Sequence, residues 1–573
     1  MPRGIACVTL RVMKNNRLVI CLVALVGCGD DIAGATEGAS GTGDSGDTEP
    51  TGGAPQLGVK LEWSWTANEV SVLPLVADIA GDDRPEVIVN ASRTDGIARE
   101  IGEIVVLDGV TGTELWRTKE TPQGDSHGSF GLGTPAVGDL DGDLRPDIVY
   151  PGRVSGFPEK KRGPVHAVDG AGKHLWTGHT ADNTPVLVDW QHGAAALVNL
   201  DDDSAAEVAI GGVLFDNDGL LVWNQGGNGG TLGTPTANNN PPDLLYSGSL
   251  ATFADLTGDG RPELLTGREA WTITWTPGSP PAVSMSMLWK NSDGEGNDGW
   301  PALGDLDQDG APEVVLVAWP DIKVLDGKTG KLWCGVDPTG TMCADNDALR
   351  TPPIEIAGGN LGGPATIADF DGDGRPEVGI AAGKAYAVYD FARPGEELIF
   401  PDNAPSPAPG AMFLRWSTPT QDNSSGSNGS SVFDFQGDGV PEVLYHDECK
   451  LRIYDGSTGQ TRHEELSSSG TVHEYPPVVD VDGDGHAEFL AVSNLSEPVV
   501  NAQCQSADPA FVPRQGVFAY GADGEPWAAT RKLWTQHTYH VTNAHADGNV
   551  PMTEQPNWTV PGLNNFRQNV AGD

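Results

Sequence analysis

The segment ADFDGDGRPE, residues 368–377, places acidic side chains and two glycines in one short turn. Positions 1, 3, 5 and 9 of this loop are Asp369, Asp371, Asp373 and Glu377. Oxygens at this spacing, with a backbone carbonyl at position 7 and a tight turn at position 6, surround a hard cation at about 2.3–2.6 Å, the distance that calcium prefers. Magnesium would keep more water and take fewer protein ligands. The segment therefore predicts a calcium-binding loop.

Related segments occur eight times in the 573-residue chain, at intervals of 46 to 65 residues. A repeat of this length with several short strands per copy is typical of a β-propeller in which each blade carries one copy. We predict an all-β, eight-bladed β-propeller with calcium-binding loops, with seven blades as the alternative. The predicted metal ligands are Asp78, Asp82 and Glu86; Asp139, Asp141, Asp143 and Asp147; Asn199, Asp201, Asp203 and Glu207; Asp255, Thr257, Asp259 and Glu263; Asp305, Asp307, Asp309 and Glu313; Asp369, Asp371, Asp373 and Glu377; Asp434, Gln436, Asp438 and Glu442; and Asp480, Asp482, Asp484 and Glu488.

Four of the eight loops lack one charged ligand. Ala80, Thr257 and Gln436 stand at position 3 of their loops, and Asn199 stands at position 1 of another. We expect weaker calcium binding in these blades, with Ala80 the least favourable case. The remaining 28 loop carboxylates would repel one another without a cation. The alternative is a set of solvated acidic turns without metal.

The composition limits the classes of partner. The chain has 34 Lys and Arg against 80 Asp and Glu, a net charge of −46, which repels phosphate backbones and excludes nucleic acid as a first choice. Its 76 glycines and 43 prolines favour strands and tight turns over helices.

Hairpins with DG turns follow the loops and end in recurrent tryptophans, such as Trp116, Trp176 and Trp333. Their fixed place after each turn favours packing between blades over a sugar-stacking or cofactor platform. The LEWSW segment, residues 61–65, resembles these outer strands. We expect it to complete the final blade and close the ring, so that no strand edge is left free.

The two ends of the chain differ from the repeats. Residues 1–28 carry a basic stretch, an apolar run and Leu25-Val26-Gly27-Cys28, which resembles the lipobox of bacterial lipoproteins and predicts lipidation of Cys28. An ordinary secretion signal is the alternative. Residues 29–57 predict a flexible tether and residues 58–535 the propeller. In residues 536–573 three histidines, His537, His540 and His545, invite a metal hypothesis, but aromatic neighbours favour a capping segment.

The remaining cysteines form an even set, which suits disulfides in an oxidising compartment. They are Cys334, Cys343, Cys449 and Cys504. Three pairings are open. A local bridge between Cys334 and Cys343 is the simplest, and it leaves Cys449 with Cys504. A zinc site would require shorter spacing.

The loops, preceded by Gly-x-Pro phrases such as Gly133-Thr134-Pro135 and Gly299-Trp300-Pro301, resemble the FG-GAP or VCBS repeats of the integrin alpha-subunit propeller over residues 58–535. The resemblance implies that calcium braces the blades at the residues named above. It leaves function open, because one fold hosts many functions.

We expect an exported lipoprotein of the outer membrane or cell surface that contacts the membrane only through its lipid anchor. The predicted function is a non-enzymatic scaffold for a protein or glycan partner. A calcium-dependent polysaccharide lyase similar to the rhamnogalacturonan lyases is the alternative, although Lys160-Lys161-Arg162 is the only basic cluster that stands out. We expect partners to dock opposite the calcium loops, on connections that include residues 267–283, 418–429 and 493–515.

Overall fold

The computed structural model describes residues 56–92, 101–118, 128–153, 162–189, 193–201, 203–224, 250–292, 299–336, 350–359, 362–395, 398–423, 426, 428–471, 473–495 and 498–572. The predictions made for residues 1–28, for Cys28, for most of the tether, for Cys343 and for Lys160-Lys161 lie outside these ranges.

Eight antiparallel blades follow one another along the described chain, which confirms the eight-bladed propeller and excludes the seven-bladed alternative. Blade 1 contains β2 (Glu69–Val70), β3 (Leu75–Ala77), β4 (Glu86–Ser92), β5 (Gly102–Asp108) and β6 (Glu114–Arg117); blade 2 contains β7 (Ala136–Gly138), β8 (Asp147–Pro151), β10 (Val165–Val168) and β11 (His174–Thr177); blade 3 contains β13 (Ala196–Val198), β14 (Glu207–Ile210), β15 (Val213–Phe215) and β16 (Leu221–Asn224); blade 4 contains β17 (Thr252–Ala254), β18 (Glu263–Thr266), β19 (Glu269–Thr276) and β20 (Ala282–Lys290).

The second half of the ring repeats this plan. Blade 5 contains β21 (Trp300–Gly304), β22 (Glu313–Ala318), β23 (Asp321–Asp326) and β24 (Ile354–Glu355); blade 6 contains β25 (Thr366–Ala368), β26 (Glu377–Ala381), β27 (Ala385–Phe391) and β28 (Met412–Pro419); blade 7 contains β29 (Ser430–Phe433), β30 (Glu442–His446), β31 (Lys450–Asp455) and β32 (Thr461–Leu466); blade 8 contains β33 (Val478–Val479), β34 (Glu488–Ser493), β35 (Gly516–Ala522) and β1 (Val59–Trp65). A separate pair joins β9 (Arg162–Gly163) and β12 (Val188–Asp189).

Three short helices complete the described structure: α1 (Pro498–Ala507) and two 3-10 turns, Val541–Asn543 and Asn557–Thr559. No helix in the described ranges is long and apolar enough to cross a membrane.

The first strand of the chain closes the ring. β1 pairs with β35 from Val59 opposite Ala522 to Trp65 opposite Val517, so blade 8 is built from both ends of the propeller. This pairing confirms the prediction for the LEWSW segment. Because every sheet is joined to its neighbours around a circle, ring closure removes the seam at which an open propeller would expose an edge.

The second strand of a blade is buried on both faces, since neighbouring blades cover it. β22, with the sequence EVVLVA, is buried at all six positions, whereas the outer strand β20 is largely exposed. A strand covered on two faces reads as a continuous apolar run instead of an alternating one.

Outer-strand tryptophans join consecutive blades. The indole Nε1 of Trp63 in blade 8 donates to the carbonyl of Gly109 in blade 1 at 2.7 Å. Trp289 in blade 4 donates to Gly327 in blade 5 at 2.8 Å, and Trp416 and Gly456 repeat the contact between blades 6 and 7 at 2.7 Å. The tryptophans named from the sequence also pack between blades: Trp116 donates to Gly170 of blade 2 at 3.1 Å, Trp176 lies against Gly219 of blade 3, and Trp333 packs on Phe391 of blade 6. These contacts confirm the prediction of packing between blades.

The prediction of an irregular connection at residues 267–283 is wrong. The segment forms most of the hairpin of β19 and β20, whose register runs without interruption from Trp271 opposite Met287 to Thr276 opposite Ala282. Alternating Thr, Trp and Ile residues have high β-propensity and outweigh the local Ser and Pro residues. This hairpin joins a third strand to a fourth, so it belongs to the same face as the acidic loops.

The C-terminal segment lies inside the ring. First strands of successive blades contact one another and form its inner wall. The segment bonds to this wall in six blades: Trp534 with Val76, Thr535 with Val137, Gln536 with Leu197, Asn564 with Asp305, Phe566 with Ile367, and Asn569 with Val478. Trp534 and Phe566 are fully buried.

One predicted disulfide is confirmed. Cys449, between β30 and β31 of blade 7, is bonded to Cys504 in α1 of blade 8, with the two Cα atoms 5.4 Å apart. Both cysteines are buried beside Phe511. The Cys334–Cys343 pairing stays a prediction, because Cys343 lies outside the described residues.

Candidate metal centres

The carboxylate at position 9 closes every acidic loop in the same way. Each accepts a hydrogen bond from the backbone N–H at position 2, at distances of 2.6 to 3.3 Å, and each is only 1% to 5% exposed. These residues are Glu86, Asp147, Glu207, Glu263, Glu313, Glu377, Glu442 and Glu488. Position 9 therefore holds the start of the loop to the second strand in all eight blades.

Position 1 folds the loop around itself. In blade 6 the carboxylate of Asp369 accepts hydrogen bonds from Gly372 at 2.7 Å, Asp373 at 3.0 Å and Gly374 at 2.8 Å. Asp255 accepts the equivalent three in blade 4. Burial raises the pKa of Asp369 above its ordinary value, and the hydrogen bonds from Gly372 and Gly374 offset part of this increase.

Position 5 has a role that the sequence did not predict. One oxygen of each position-5 aspartate accepts the backbone N–H of position 7, at 2.8 to 3.1 Å, in all eight loops. The residues are Asp82, Asp143, Asp203, Asp259, Asp309, Asp373, Asp438 and Asp484. This contact is an Asx turn.

Five blades gather three carboxylates so closely that ligand oxygens lie within 4.8 Å of one another. In four of these blades the gathered residues come from positions 1, 3 and 9. The groups are Asp139, Asp141 and Asp147; Asp201, Glu207 and Asp216; Asp305, Asp307 and Glu313; Asp369, Asp371 and Glu377; and Asp480, Asp482 and Glu488. The described residues of the loops with Ala80, Thr257 and Gln436 form no such group, in line with the expected weakness at position 3.

Blade 3 adds a carboxylate that lies outside the predicted ligand set. Asp216, which follows β15, is gathered with Asp201 and Glu207. The amide of Asn199 donates to the backbone carbonyl of Asp203. Sequence analysis missed Asp216 because it lies outside the repeated loop. The signal was present, since a DG or DN turn follows the third strand in several blades.

Burial leaves the position-9 carboxylates poorly solvated. Burial, with repulsion from the other loop acids, raises the pKa of Glu86 and Glu263 to about 7 and that of Asp147 to about 8. Burial likewise raises the pKa of Glu207 and Glu488 to about 9. At neutral pH such groups bind a proton unless a cation compensates their charge.

The donor set fits a hard divalent cation. Each gathered group consists of carboxylates alone, without Cys or His, so calcium or magnesium suits it better than zinc or copper. Several carboxylates per site favour calcium, which tolerates irregular geometry. In blade 5, for example, Asp305, Asp307 and Glu313 would hold the ion.

The tail histidines are not gathered as metal ligands in the part of the chain that the structure describes. His537 is buried with its ring against Tyr475 and His473. His540 contacts Glu554 at 2.5 Å, and His545 is exposed. Burial lowers the pKa of His537, which keeps its ring neutral.

A cleft of about 150 Å³ lies between the loop of blade 4 and the C-terminal segment. Trp275 of β19 and Trp558 provide aromatic walls, and Met552 is 52% exposed. Asp255 and Arg261 contribute charged groups. The cleft lies where the long β19–β20 hairpin meets the C-terminal segment.

The fold is similar to that of known propellers. The V. cholerae biofilm matrix protein Bap1 is 18% identical, with a TM-score of 0.57 over 89% of this chain and 99% of that chain. Rhamnogalacturonan lyase YesW gives 17% identity and a TM-score of 0.44 over 81% and 75%. A quinohemoprotein alcohol dehydrogenase of Pseudomonas putida HK5 gives 13% and 0.41 over 82% and 76%.

No family model and no curated protein matches the sequence. The similarity to Bap1 supports the propeller fold alone. The resemblance to FG-GAP or VCBS repeats therefore stays a prediction.

Proposed function

We propose that the chain is a calcium-braced propeller scaffold that binds a partner at the cell surface. The observation that carries the proposal is the equivalence of the loops: the same position-9 hydrogen bond recurs in all eight blades, and the gathered carboxylates recur in five. A chain normally has one catalytic centre. A site that stabilises a repeated loop is instead expected once in each repeat. The repeated sites thus support bracing over catalysis.

Removal of calcium tests this proposal. Ligands that bind only the native state stabilise it by mass action, so saturating calcium should add several kcal/mol and raise Tm. Excess EDTA should reverse the increase, and added magnesium should restore less of it. An equal Tm in calcium and in EDTA would contradict calcium bracing.

A glycan is the partner class that the cleft favours. The half-buried indole of Trp558 can stack on the C–H face of a sugar ring, and the exposed Arg261 can donate hydrogen bonds to its hydroxyl groups. The volume suits a single sugar ring or the end of a chain. The net charge of −46 favours a neutral glycan over an anionic one.

Glycan binding on the face that carries the acidic loops and on the opposite face of the propeller can be compared with matched tryptophan variants. Trp558 lines the cleft on the loop face, and Trp319, 48% exposed, lies between β22 and β23 on the opposite face. Binding of cellohexaose and of galactan oligomers is measured by calorimetry. Loss of binding in Trp558→Ala but not in Trp319→Ala supports the cleft, and the reverse supports docking on the opposite face. If wild type binds neither probe, the glycan form of the proposal fails and a protein partner takes its place.

Localisation rests on Cys28, which lies outside the described residues. We propose a lipid anchor there, because acyl chains attached to this thiol would hold the tether at a membrane. Cys28→Ser should move the protein from the membrane fraction to the soluble fraction. Continued membrane association of this variant would contradict the anchor.

Lyase activity is the competing outcome. A lyase acting on uronic acids would release unsaturated products that absorb in the ultraviolet. The calcium-loaded protein should produce no such absorbance from rhamnogalacturonan, and a steady increase that depends on enzyme concentration would replace the scaffold proposal.

A further inference from the structure

Blade 7 contains an arginine where other blades gather carboxylates. Arg462 in the outer strand β32 reaches Glu442 at 3.5 Å and Asp455 at 3.2 Å. The Arg462 side chain is 8% exposed and that of Glu442 is 1% exposed. A guanidinium in this position is a desolvated counter-charge for the buried position-9 carboxylate.

The two acids that Arg462 bridges have direct counterparts in blade 3. Glu442 lies opposite Asp455 in the β30–β31 pair. In blade 3 the position-9 residue Glu207 and Asp216, which follows the third strand, belong to one gathered group. The guanidinium of blade 7 thus lies between the position-9 carboxylate and the carboxylate at the end of the third strand. In blade 3 the carboxylates at these two positions lie close together in one group.

The residue at position 3 completes the arrangement. The Gln436 amide, in the orientation that satisfies both of its ends, donates to the two Glu442 oxygens at 2.6 and 2.7 Å. Its oxygen accepts from Arg462 Nη2 at 2.6 Å. An aspartate at this position would add a negative charge and could not donate to Glu442. The glutamine therefore suits a site with a guanidinium and does not suit one with a metal.

Blade 5 provides the contrast. No lysine, arginine or histidine within the described ranges forms an ion pair with Asp305, Asp307 or Glu313, and these three are gathered. Blade 6 combines both features. Arg393 reaches Glu377 at 3.5 Å and Asp390 at 3.0 Å, as Arg462 reaches its two acids in blade 7. Arg415 contacts Asp371 at 2.9 Å, yet the three carboxylates at positions 1, 3 and 9 of blade 6 remain gathered. The residue at position 3, an aspartate in blade 6 and Gln436 in blade 7, therefore separates the two blades. Blade 7 is the blade in which an arginine contacts position 9 and no gathered group exists among the described residues.

We infer that Arg462 is the resident cation of blade 7, and that this blade is braced without calcium. The inference rests on the proposed calcium bracing of the other blades and adds a second kind of brace to the same ring. Gln436 and Arg462 act together: the first removes a metal ligand and the second supplies the missing positive charge.

Matched substitutions at position 1 test the inference. Asp305 accepts hydrogen bonds from Asp309 at 3.0 Å and Gly310 at 2.8 Å; Asp434 accepts the equivalent pair from Asp438 at 3.1 Å and Gly439 at 2.8 Å. Asp305→Asn and Asp434→Asn therefore disturb the two loops alike. Bound calcium per chain is measured by atomic emission after equilibrium dialysis, with circular dichroism as the check of folding.

We expect Asp305→Asn to lose one calcium ion per chain and Asp434→Asn to lose none. The double variant Gln436→Asp/Arg462→Thr supplies a carboxylate at position 3 and removes the guanidinium, so it should gain one ion relative to wild type. Loss of an ion in folded Asp434→Asn, or no gain in the folded double variant, would overturn the inference. A wild-type chain that binds no calcium at all would instead contradict the proposed calcium bracing.

Discussion

Outer-strand tryptophans of five blades, among them Trp63 and Trp289, face a glycine in the turn of the next blade. The ring of Trp289 lies 2.3 Å from where a Cβ atom of Gly330 would be, and Trp63 has the same relation to Gly112. Both glycines have positive φ. The second glycine of the turn sequence DGxTG is therefore required for two reasons. Its backbone conformation has positive φ, and the indole that covers it leaves no room for a side chain.

Gly330→Ala should destabilise the ring more than a matched substitution at Gly395. Both glycines have positive φ, +64° and +87°, so both variants carry strain of about 1–2 kcal/mol. Gly395 has no atom within 4 Å of an added Cβ, whereas the Cβ at Gly330 would collide with Trp289. We expect an additional cost of about 1–3 kcal/mol at Gly330, measured as the difference in Tm. Equal shifts in the two variants would show that the indole is free to move.

Within one acidic loop, the sequence predicted which positions carry the functional side chains, but it did not predict every contact that these side chains make. Positions 1, 3 and 9 meet in four blades, as the spacing indicates. One oxygen of each position-5 aspartate accepts an Asx-turn hydrogen bond, and Asp216 joins the blade 3 group from beyond another strand. A ligand that comes from a separate strand depends on strand register, which a pattern confined to one loop does not contain.

The metal-free loops should give the protein an unusual pH dependence. Burial raises the pKa of Glu207 and Glu488 from an ordinary value of 4.5 to about 9, so the folded state binds more protons than the unfolded state between these values. Stability from these groups is complete below about pH 4.5 and is lost as pH rises toward 9.

In EDTA we therefore expect Tm to fall between pH 6 and pH 8.5. With calcium, the cation replaces the proton and the fall should be smaller. Scanning calorimetry at a series of pH values in the two buffers gives both slopes. A metal-free Tm that rises with pH would show that these carboxylates are solvated in the folded protein.

The disulfide is an element-scale brace between blades 7 and 8. Cys449 and Cys504 are separated by 55 residues, and a cross-link of this length stabilises by about 2–4 kcal/mol, chiefly by restricting the unfolded chain. Cys449→Ala/Cys504→Ala should lower Tm and expose α1 to proteolysis. The single-residue control Val499→Ala in α1, which is 67% exposed, should change neither. Protection of α1 in the double variant would show that packing around Phe511 is sufficient.

At the scale of the whole molecule, the repeat predicted the number of blades because each copy carries its own apolar strands. The β19–β20 hairpin was missed because its Thr and Ser residues resemble a polar loop. The path of the C-terminal segment was not predictable for a different reason. The segment pairs with inner strands that lie far away in the sequence, as Trp534 does with Val76 and Phe566 with Ile367, and no local pattern encodes these contacts.

Because the C-terminal segment bonds to six blades, damage to it should affect the ring as a unit. Phe566 is fully buried, and its backbone pairs with Ile367 of blade 6. Phe566→Ala should cost about 3–5 kcal/mol through the cavity it leaves. Met552→Ala, at a 52% exposed site of the same segment, should cost less than about 0.5 kcal/mol.

Thermal unfolding is followed by far-UV circular dichroism, which reports all blades, and by tryptophan fluorescence. We expect both signals of Phe566→Ala to shift to the same lower Tm. The C-terminal segment bonds to blades on opposite sides of the ring and therefore couples their unfolding. Two separate transitions would show instead that the segment stabilises only the blades beside Phe566.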